Sequence, residues 1–186
     1  MDSSKVQKDA EERMKKSVQA LHDEFSTLRT GRASSGMFEK IKVDYYGNPT
    51  PLSHMATISV PEARLVVIQP WDKSTINDIE KAIQKSELSV NPSNDGKVIR
   101  INIPPLTEER RQEYVKMAKN MAEQARVAIR NIRRDANDDL KKAKKDGDLS
   151  EDDEKRLEDT IQKLTDTYVG QVDEALEAKE KEILEH

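Results

Sequence analysis

Arginines repeat at helical spacing between Ala125 and Arg134, and they are the residues best suited to bind a polyanion. Arg126, Arg130 and Arg133 stand at positions i, i+4 and i+7. In a helix their guanidinium groups would project from successive turns about 5 Å apart. Such a ladder can follow the phosphates of a nucleic acid, because each guanidinium donates two charge-assisted hydrogen bonds. The pattern predicts binding rather than catalysis.

The residue types that enzymes use are few and scattered. Gly96-Lys97-Val98 lacks the upstream glycine and the following Ser or Thr of a phosphate loop, and no serine lies in a nucleophile elbow. Asp146-Gly147-Asp148 is similar to part of a calcium loop, but Lys142 occupies the position of its first ligand. The chain has no cysteine and three isolated histidines, His22, His54 and His186. We therefore expect no enzyme, no metal site and no cofactor.

The arginine ladder belongs to a pattern that predicts one helix from Thr107 to Asp146. With Ala125 at zero and about 100° per residue, an apolar stripe falls within about 60° of it: Tyr114, Ala118, Met121, Ala128, Ile132, Ala136 and Leu140. A second stripe, about 80–140° round, forms what we call the cationic ridge: Lys119, Arg126, Arg130, Arg133 and Lys144. We expect the ridge to face water beside a buried seam. An ordinary solvated face is the alternative.

Charge is distributed unevenly along the chain, whose net charge is −4. Residues 106–147 contain 12 basic and 8 acidic residues, whereas residues 148–186 contain 5 basic and 14 acidic ones. The cationic helix therefore has an anionic neighbour, and a polyanion can approach only one side of the molecule. The binding hypothesis requires that the guanidinium groups of the ladder are not paired with carboxylates of that acidic segment.

Two further segments have the apolar spacing of long helices. The first, from Met1 to Thr30, carries Val6, Ala10, Met14, Val18, Leu21, Phe25 and Leu28. The third long helix begins at Ser150 and carries Leu157, Ile161, Leu164, Tyr168, Val172, Ala175 and Ile183. Because no such helix can bury its stripe alone, the three predict an antiparallel bundle within one chain. Pairing of the stripes between two chains is the alternative to this monomer.

Between the first two long helices the pattern changes to short strands and turns. Strands are predicted at Ile41–Tyr45, Met55–Val60, Arg64–Gln69 and Val98–Ile103, and a short helix carries Ile76, Ile79 and Ile83. Trp71 is expected to anchor the core or the rim of this region rather than to stack on bases. The predicted fold class is α+β, an elongated three-helix bundle with an inserted small β/α/β domain.

The domain boundaries follow from the same pattern. Residues 1–30 and 106–186 are assigned to the bundle, and residues 31–105 to the inserted domain. Two strands connect them, and few contacts should cross there, so Gly31, Arg32, Pro104 and Pro105 are expected to form a hinge in an L-shaped molecule.

The amino-acid composition also indicates which class of nucleic acid the chain would bind. Aromatic residues make up 4% of the chain, which argues against stacking on single strands and favours folded RNA. A helical adaptor that docks the cationic ridge on an acidic protein is the alternative. The salt dependence of binding and competition by RNA distinguish the RNA-binding hypothesis from the adaptor hypothesis.

No apolar run approaches the roughly 20 residues of a membrane span, and no signal-peptide segment follows Met1. We therefore expect a cytoplasmic protein without a membrane partner.

Four motifs in order resemble those of bacterial ribosome recycling factors. They are Leu28-Arg29-Thr30-Gly31-Arg32-Ala33, Tyr45-Tyr46-Gly47, Pro104-Pro105-Leu106-Thr107-Glu108-Glu109-Arg110-Arg111, and the run from Glu123 to Asn137. The resemblance extends over the whole chain. It is weaker at Ser34-Ser35-Gly36, where some members have a proline, and weakest in the third long helix, where we assign no site.

The resemblance implies both a shape and an activity. The L shape would approximate a transfer RNA, and the protein, with elongation factor G and GTP, would split the post-termination 70S ribosome into subunits. The partner would hydrolyse the GTP and push the hinged domain. The bundle would lie across large-subunit ribosomal RNA, and the implied RNA-facing arginines are Arg29, Arg32, Arg110, Arg130 and Arg133.

Overall fold

The computed structural model describes residues 3–28, 30–88 and 90–185, which form four α-helices and six strands. The helices are α1 (Ser3–Ser26), α2 (Ile76–Lys85), α3 (Glu108–Lys145) and α4 (Glu151–Leu184). The chain divides into two units, Met1–Thr30 with Glu108–Glu185, here the bundle, and Gly31–Thr107, here the inserted unit. The predicted α+β class with a helical bundle is confirmed. Within the described ranges, no helix combines the length and apolar character that a membrane span requires.

Helices α1, α3 and α4 pack against one another around a single apolar core. The predicted stripe of α1 is buried from Val6 to Leu28, and that of α4 is buried or half-buried throughout. Helix α3 contributes mainly alanines together with Ile129, Ile132 and Leu140. Such small side chains let α1 and α4 approach the α3 backbone closely.

The helix ends follow local capping chemistry. Helix α3 is capped by Gly147, which has φ 83°. The Gly147 N–H donates to the Lys144 carbonyl at 3.1 Å, and the Asp148 N–H donates to the Ala143 carbonyl at 2.9 Å. Ser150 Oγ accepts the Asp153 N–H at 3.1 Å and starts α4, as predicted. Helix α1 ends at Ser26 rather than at the predicted Thr30, because the following turn tightens to bonds three residues back.

The inserted unit contains two antiparallel sheets. Strands β1 (Lys42–Tyr45) and β2 (Asn48–Pro51) form a hairpin. Strands β3 (Ala56–Glu62), β4 (Leu65–Pro70), β5 (Pro92–Asn94) and β6 (Ile99–Asn102) form a sheet in the order β3-β4-β6-β5. The core includes Ile79 and Ile83 of α2 together with Val66, Ile68, Ile99 and Ile101 of the sheet.

The inserted unit has two strands that the sequence did not predict, and a third strand ends later than predicted. Strands β2 and β5 were not predicted, because each is short and contains proline. Strand β3 continues through Pro61, with a register shift between Ser59 and Glu62. A proline is tolerated there because β3 is an edge strand, where the missing N–H breaks no ladder.

The two segments that enter and leave the inserted unit lie side by side. The Ala33 N–H donates to the Ala63 carbonyl, and the Ile103 N–H donates to the Arg64 carbonyl, both at 2.7 Å. Gly31 has φ +80°, and a Cβ there would lie 3.2 Å from the Leu106 backbone nitrogen. The β3–β4 turn therefore holds both connecting segments.

Trp71 lies on the surface of the inserted unit rather than in its core. Its side chain is 65% exposed, and its Nε1 donates to Thr57 Oγ1 at 2.9 Å. Of the two anchoring positions considered, the rim is the one that the structure supports. The indole is held by its polar edge, and most of the side chain is in water.

Candidate nucleic-acid interface

The cationic ridge lies along the side of α3 that borders α4. Lys119 Nζ is 3.9 Å from Glu180 Oε1, Arg126 Nη2 is 2.7 Å from Asp173 Oδ1, and Arg133 Nη1 donates to Gln162 Oε1 at 3.3 Å. As the position on α3 rises the partner position on α4 falls, which establishes that these two helices are antiparallel. Part of the ridge is thus the edge of the α3–α4 seam.

A small rotation of α3 explains this position. The buried residues of α3 centre roughly 25° from Ala125, on the side of the ridge. Ile129 is fully buried, whereas Ala128, which was placed in the seam, is only half-buried. Arg126 therefore stands about 75° from the centre of the seam, close enough for α4 to cover it.

Arg126 is held firmly by two carboxylates. Its side chain is 19% exposed, its Nε donates to Asp173 Oδ1 at 2.8 Å, and its Nη1 donates to Glu123 Oε2 at 3.1 Å. Burial alone would lower the pKa of Arg126, but the hydrogen bonds to Asp173 and Glu123 outweigh it and raise the pKa above its ordinary value. The prediction that Arg126 faces water, free of the acidic helix, is therefore wrong.

Lys119 also has a partner on α4, but a weak one. The separation from Glu180 is 3.9 Å and the Lys119 side chain is 64% exposed. An ion pair of that length in water contributes little. Lys119 is therefore not free of the acidic helix either, although most of its side chain remains in solvent.

Arg130 and Arg133 differ from Arg126 in the partners they have. Arg130 is 44% exposed and its Nη1 lies 3.6 Å from Glu123 Oε1, on its own helix. Arg133 donates to the neutral amide of Gln162 and is half-buried. Within the part of the chain that is described, neither arginine forms an ion pair with a carboxylate of α4. Their charges therefore remain available to an approaching phosphate.

The other proposed RNA-facing arginines are on different segments. Arg110 is exposed in the first turn of α3, with its Nη1 3.4 Å from Glu113 Oε2. Arg32 is exposed in the inserted unit. Arg29 lies outside the described residues, so its predicted role has no structural account. The predicted hinge residues Gly31, Arg32, Pro104 and Pro105 all lie within the inserted unit, close to its two boundaries.

Arg134 is a candidate that the sequence analysis included in a motif but assigned no role. It is exposed, and it stands about 180° from Ala125 on the helical wheel, the direction facing away from the seam. Across residues 3–28, 30–88 and 90–185, no carboxylate lies within ion-pair distance of it. The helical wheel could have identified Arg134, because the position opposite the apolar stripe is the one that no neighbouring helix covers.

Histidine and carboxylate side chains are dispersed over the described part of the chain. It contains no group of three or more His, Asp or Glu side chains placed to hold a metal ion. His22 and His54 are both exposed and lie in different units. The strongest candidate site on the bundle is thus the arginine-bearing surface of α3.

Comparisons with known proteins point to one family. The family model for ribosome recycling factors matches residues 21–184. The ribosome-recycling factor of Halalkalibacterium halodurans is 62% identical over 183 residues, which cover 98% of this chain and 99% of that protein. The factor of Nitratidesulfovibrio vulgaris is 57% identical over 185 residues and covers both chains completely.

Solved structures give the same result. A solution structure of a ribosome recycling factor matches with a TM-score of 0.77 at 45% identity, covering 99% of this chain and 98% of that one. A Thermus thermophilus ribosome recycling factor, described with Escherichia coli elongation factor G on the E. coli post-termination complex, matches with a TM-score of 0.64 at 46% identity and full coverage of both chains. The chain belongs to the ribosome recycling factor family.

Proposed function

We propose that this chain binds the post-termination 70S ribosome and, with elongation factor G and GTP, promotes its dissociation into subunits that can re-initiate translation. Family membership supports this proposal, as does the similar factor described with elongation factor G on the post-termination complex. The protein acts as a translation factor in the cytoplasm and not as an enzyme, and the GTP is hydrolysed by its partner.

The binding face we propose is the arginine-bearing side of α3. The observation that carries it is that Arg130 and Arg133 have no ion-pair partner on acidic α4 among the described residues. Two such guanidinium groups, at i and i+3, lie on successive turns and can contact neighbouring phosphates of large-subunit ribosomal RNA. Arg32, Arg110 and, at the periphery, Lys119 are proposed as further contacts.

The mechanism we propose is mechanical. The arginines anchor the bundle to RNA, elongation factor G pushes the inserted unit, and the segments at Gly31–Arg32 and Pro104–Pro105 act as the hinge. Each connection is a single chain segment, which favours bending there. The force then strains contacts between the ribosomal subunits. A single copy of the chain is sufficient for this action.

Cosedimentation with 70S ribosomes over a series of salt concentrations tests the binding face. Arg130→Ala and Arg133→Ala should each weaken binding about tenfold and lower the salt dependence by roughly one counterion. Arg156→Ala is the matched control, because Arg156 is an exposed arginine on α4 that pairs with Asp153 at 3.1 Å. This control variant should bind as the unaltered protein does.

Thermal unfolding of the Arg133→Ala variant and competition by ribosomal RNA complete the test of the binding face. Arg133→Ala should leave the circular dichroism spectrum and the melting temperature unchanged, and a matching loss of stability would assign Arg133 to the structure. Ribosomal RNA should compete with ribosomes for the protein. Failure of RNA to compete would favour the adaptor hypothesis, in which the ridge docks on an acidic protein.

A further inference from the structure

Four charged side chains form one chain of contacts across the α3–α4 seam. Asp173 contacts Arg126, Arg126 contacts Glu123, and Glu123 contacts Arg130, with closest separations of 2.7, 3.1 and 3.6 Å. The two carboxylate oxygens of Glu123 are divided between the arginines, Oε2 to Arg126 and Oε1 to Arg130. The cluster holds two positive and two negative charges, so it is neutral as a whole.

The members of this cluster differ in how accessible they are. The Arg126 side chain is 19% exposed, whereas Arg130 is 44% and Glu123 is 55% exposed. All three guanidinium nitrogens of Arg126 lie within 3.1 Å of a carboxylate oxygen. A phosphate that approaches from solvent therefore meets Arg130 and Glu123 before it meets Arg126.

Glu123 is a carboxylate on the face proposed to meet phosphates. Left alone it would repel them and would pair more closely with Arg130, the cation they need. The hydrogen bond from Arg126 restrains one oxygen of Glu123, and Asp173 in turn fixes Arg126. The contact with Arg130 is longer than a hydrogen bond, so Arg130 remains free to turn to a phosphate.

We propose that Arg126 is a positioning residue for ribosome binding, which acts by holding one carboxylate oxygen of Glu123 so that Glu123 pairs only loosely with Arg130, instead of contacting RNA itself. This inference rests on the proposed function, in which α3 binds ribosomal RNA. Without Arg126, Glu123 would close on Arg130 and compete with phosphate. The loss of Arg126 should therefore be repaired by removing the charge of Glu123.

A double-mutant experiment tests this, with cosedimentation on 70S ribosomes over a series of potassium chloride concentrations. Arg126→Met should weaken binding about tenfold, Glu123→Gln alone should change it less than about twofold, and the double variant should recover most of the loss. The salt slope of the double variant should equal that of the unaltered protein, because no phosphate contact is lost.

The opposite results are equally clear. A double variant that stays weak, with a salt slope lower by roughly one, would mean that Arg126 contacts phosphate directly. No loss on Arg126→Met would also overturn the proposal. Should Arg126→Met lower the melting temperature, Arg126→Lys replaces it, because an ammonium can remain on Asp173 without the fork that reaches Glu123, and the same rescue is required.

Arg130→Ala separates a failure of this inference from a failure of the proposed function. If Arg130→Ala weakens binding but Glu123→Gln gives no rescue of Arg126→Met, the binding face stands and the positioning role falls. If Arg130→Ala binds normally, the binding face itself is wrong and the positioning role falls with it.

Discussion

Lys179 of α4 donates from its Nζ to the backbone carbonyl of Leu28 at 3.3 Å, just beyond the end of α1. The lysine side chain is 9% exposed, and Glu182 Oε2 lies 3.8 Å from the same ammonium. A backbone carbonyl in a buried position needs a hydrogen-bond donor. Lys179 therefore supplies a donor from α4 to a carbonyl that follows α1, next to the segment that leads to the inserted unit.

Replacing this lysine should destabilise the bundle. Lys179→Met keeps the apolar stem but leaves the Leu28 carbonyl without this donor, at a cost of about 1–3 kcal/mol in the free energy of unfolding. Urea unfolding followed by helical circular dichroism measures it. The control is Lys181→Met, since Lys181 is 75% exposed and 3.9 Å from Glu185, and it should cost less than about 0.5 kcal/mol. Equal effects of the two changes would remove the special role of Lys179.

Two glycines should respond to alanine in opposite directions. Gly31→Ala places a Cβ at φ +80° and 3.2 Å from the Leu106 nitrogen, so it should destabilise the inserted unit by about 1–2 kcal/mol or more. Gly170 lies within α4 with open space around it, so Gly170→Ala should stabilise the bundle by up to about 1 kcal/mol. Fluorescence of Trp71, the only tryptophan, reports the inserted unit, and circular dichroism reports the bundle. A stabilising Gly31→Ala would contradict the assigned backbone strain.

Asp95 should make the inserted unit sensitive to acid. The backbone N–H of Val98, the side chain of Arg100 and the backbone N–H of Lys97 hold the pKa of Asp95 well below its ordinary value of 3.8. Because the pKa is depressed by folding, the stabilisation is present above the ordinary pKa and is lost as the pH falls through the folded value. Asp95→Asn should lower the urea midpoint of Trp71 fluorescence at neutral pH. The difference from the unaltered protein should shrink below about pH 4, and a constant difference would refute this assignment.

The proposed hinge can be locked with a reversible cross-link. A Cβ at Gly31 would lie 3.9 Å from the Leu106 Cβ, within the range that a disulfide needs, and the chain has no cysteine of its own. The variant with Gly31→Cys and Leu106→Cys carries the same backbone strain in both redox states, so its reduced form is the control. The oxidised form should sediment with ribosomes but split them more slowly. Equal splitting by both forms would discard the lever mechanism.

The long helices could be predicted because their pattern is local. The stripe from Val6 to Leu28 repeats at helical spacing, and each helix satisfies its own backbone, so distant residues are not needed to recognise it. The caps at Gly147 and Ser150 are equally local. Strands β2 and β5 depend instead on pairing with neighbours, which short proline-containing segments do not reveal.

The pairing of Arg126 with Asp173 could not be predicted from one helical wheel. The two residues are 47 positions apart, and whether they meet depends on how far α3 rotates between α1 and α4. A shift of roughly 25° is within the width of an apolar stripe, and only the shapes of all three helices determine it. Lys179 and Leu28 are separated by 151 positions, and the sequence contains no local signal for their contact.

The hydrogen bonds of Ala33 and Ile103 end on consecutive carbonyls, those of Ala63 and Arg64. The segment that enters the inserted unit and the segment that leaves it are therefore bound to two adjacent peptide groups. A module with that form is suited to transplantation, since a recipient protein needs only one short surface loop to accept it. Exchange of residues 33–103 between homologues should therefore require matched chain ends at only two adjacent points.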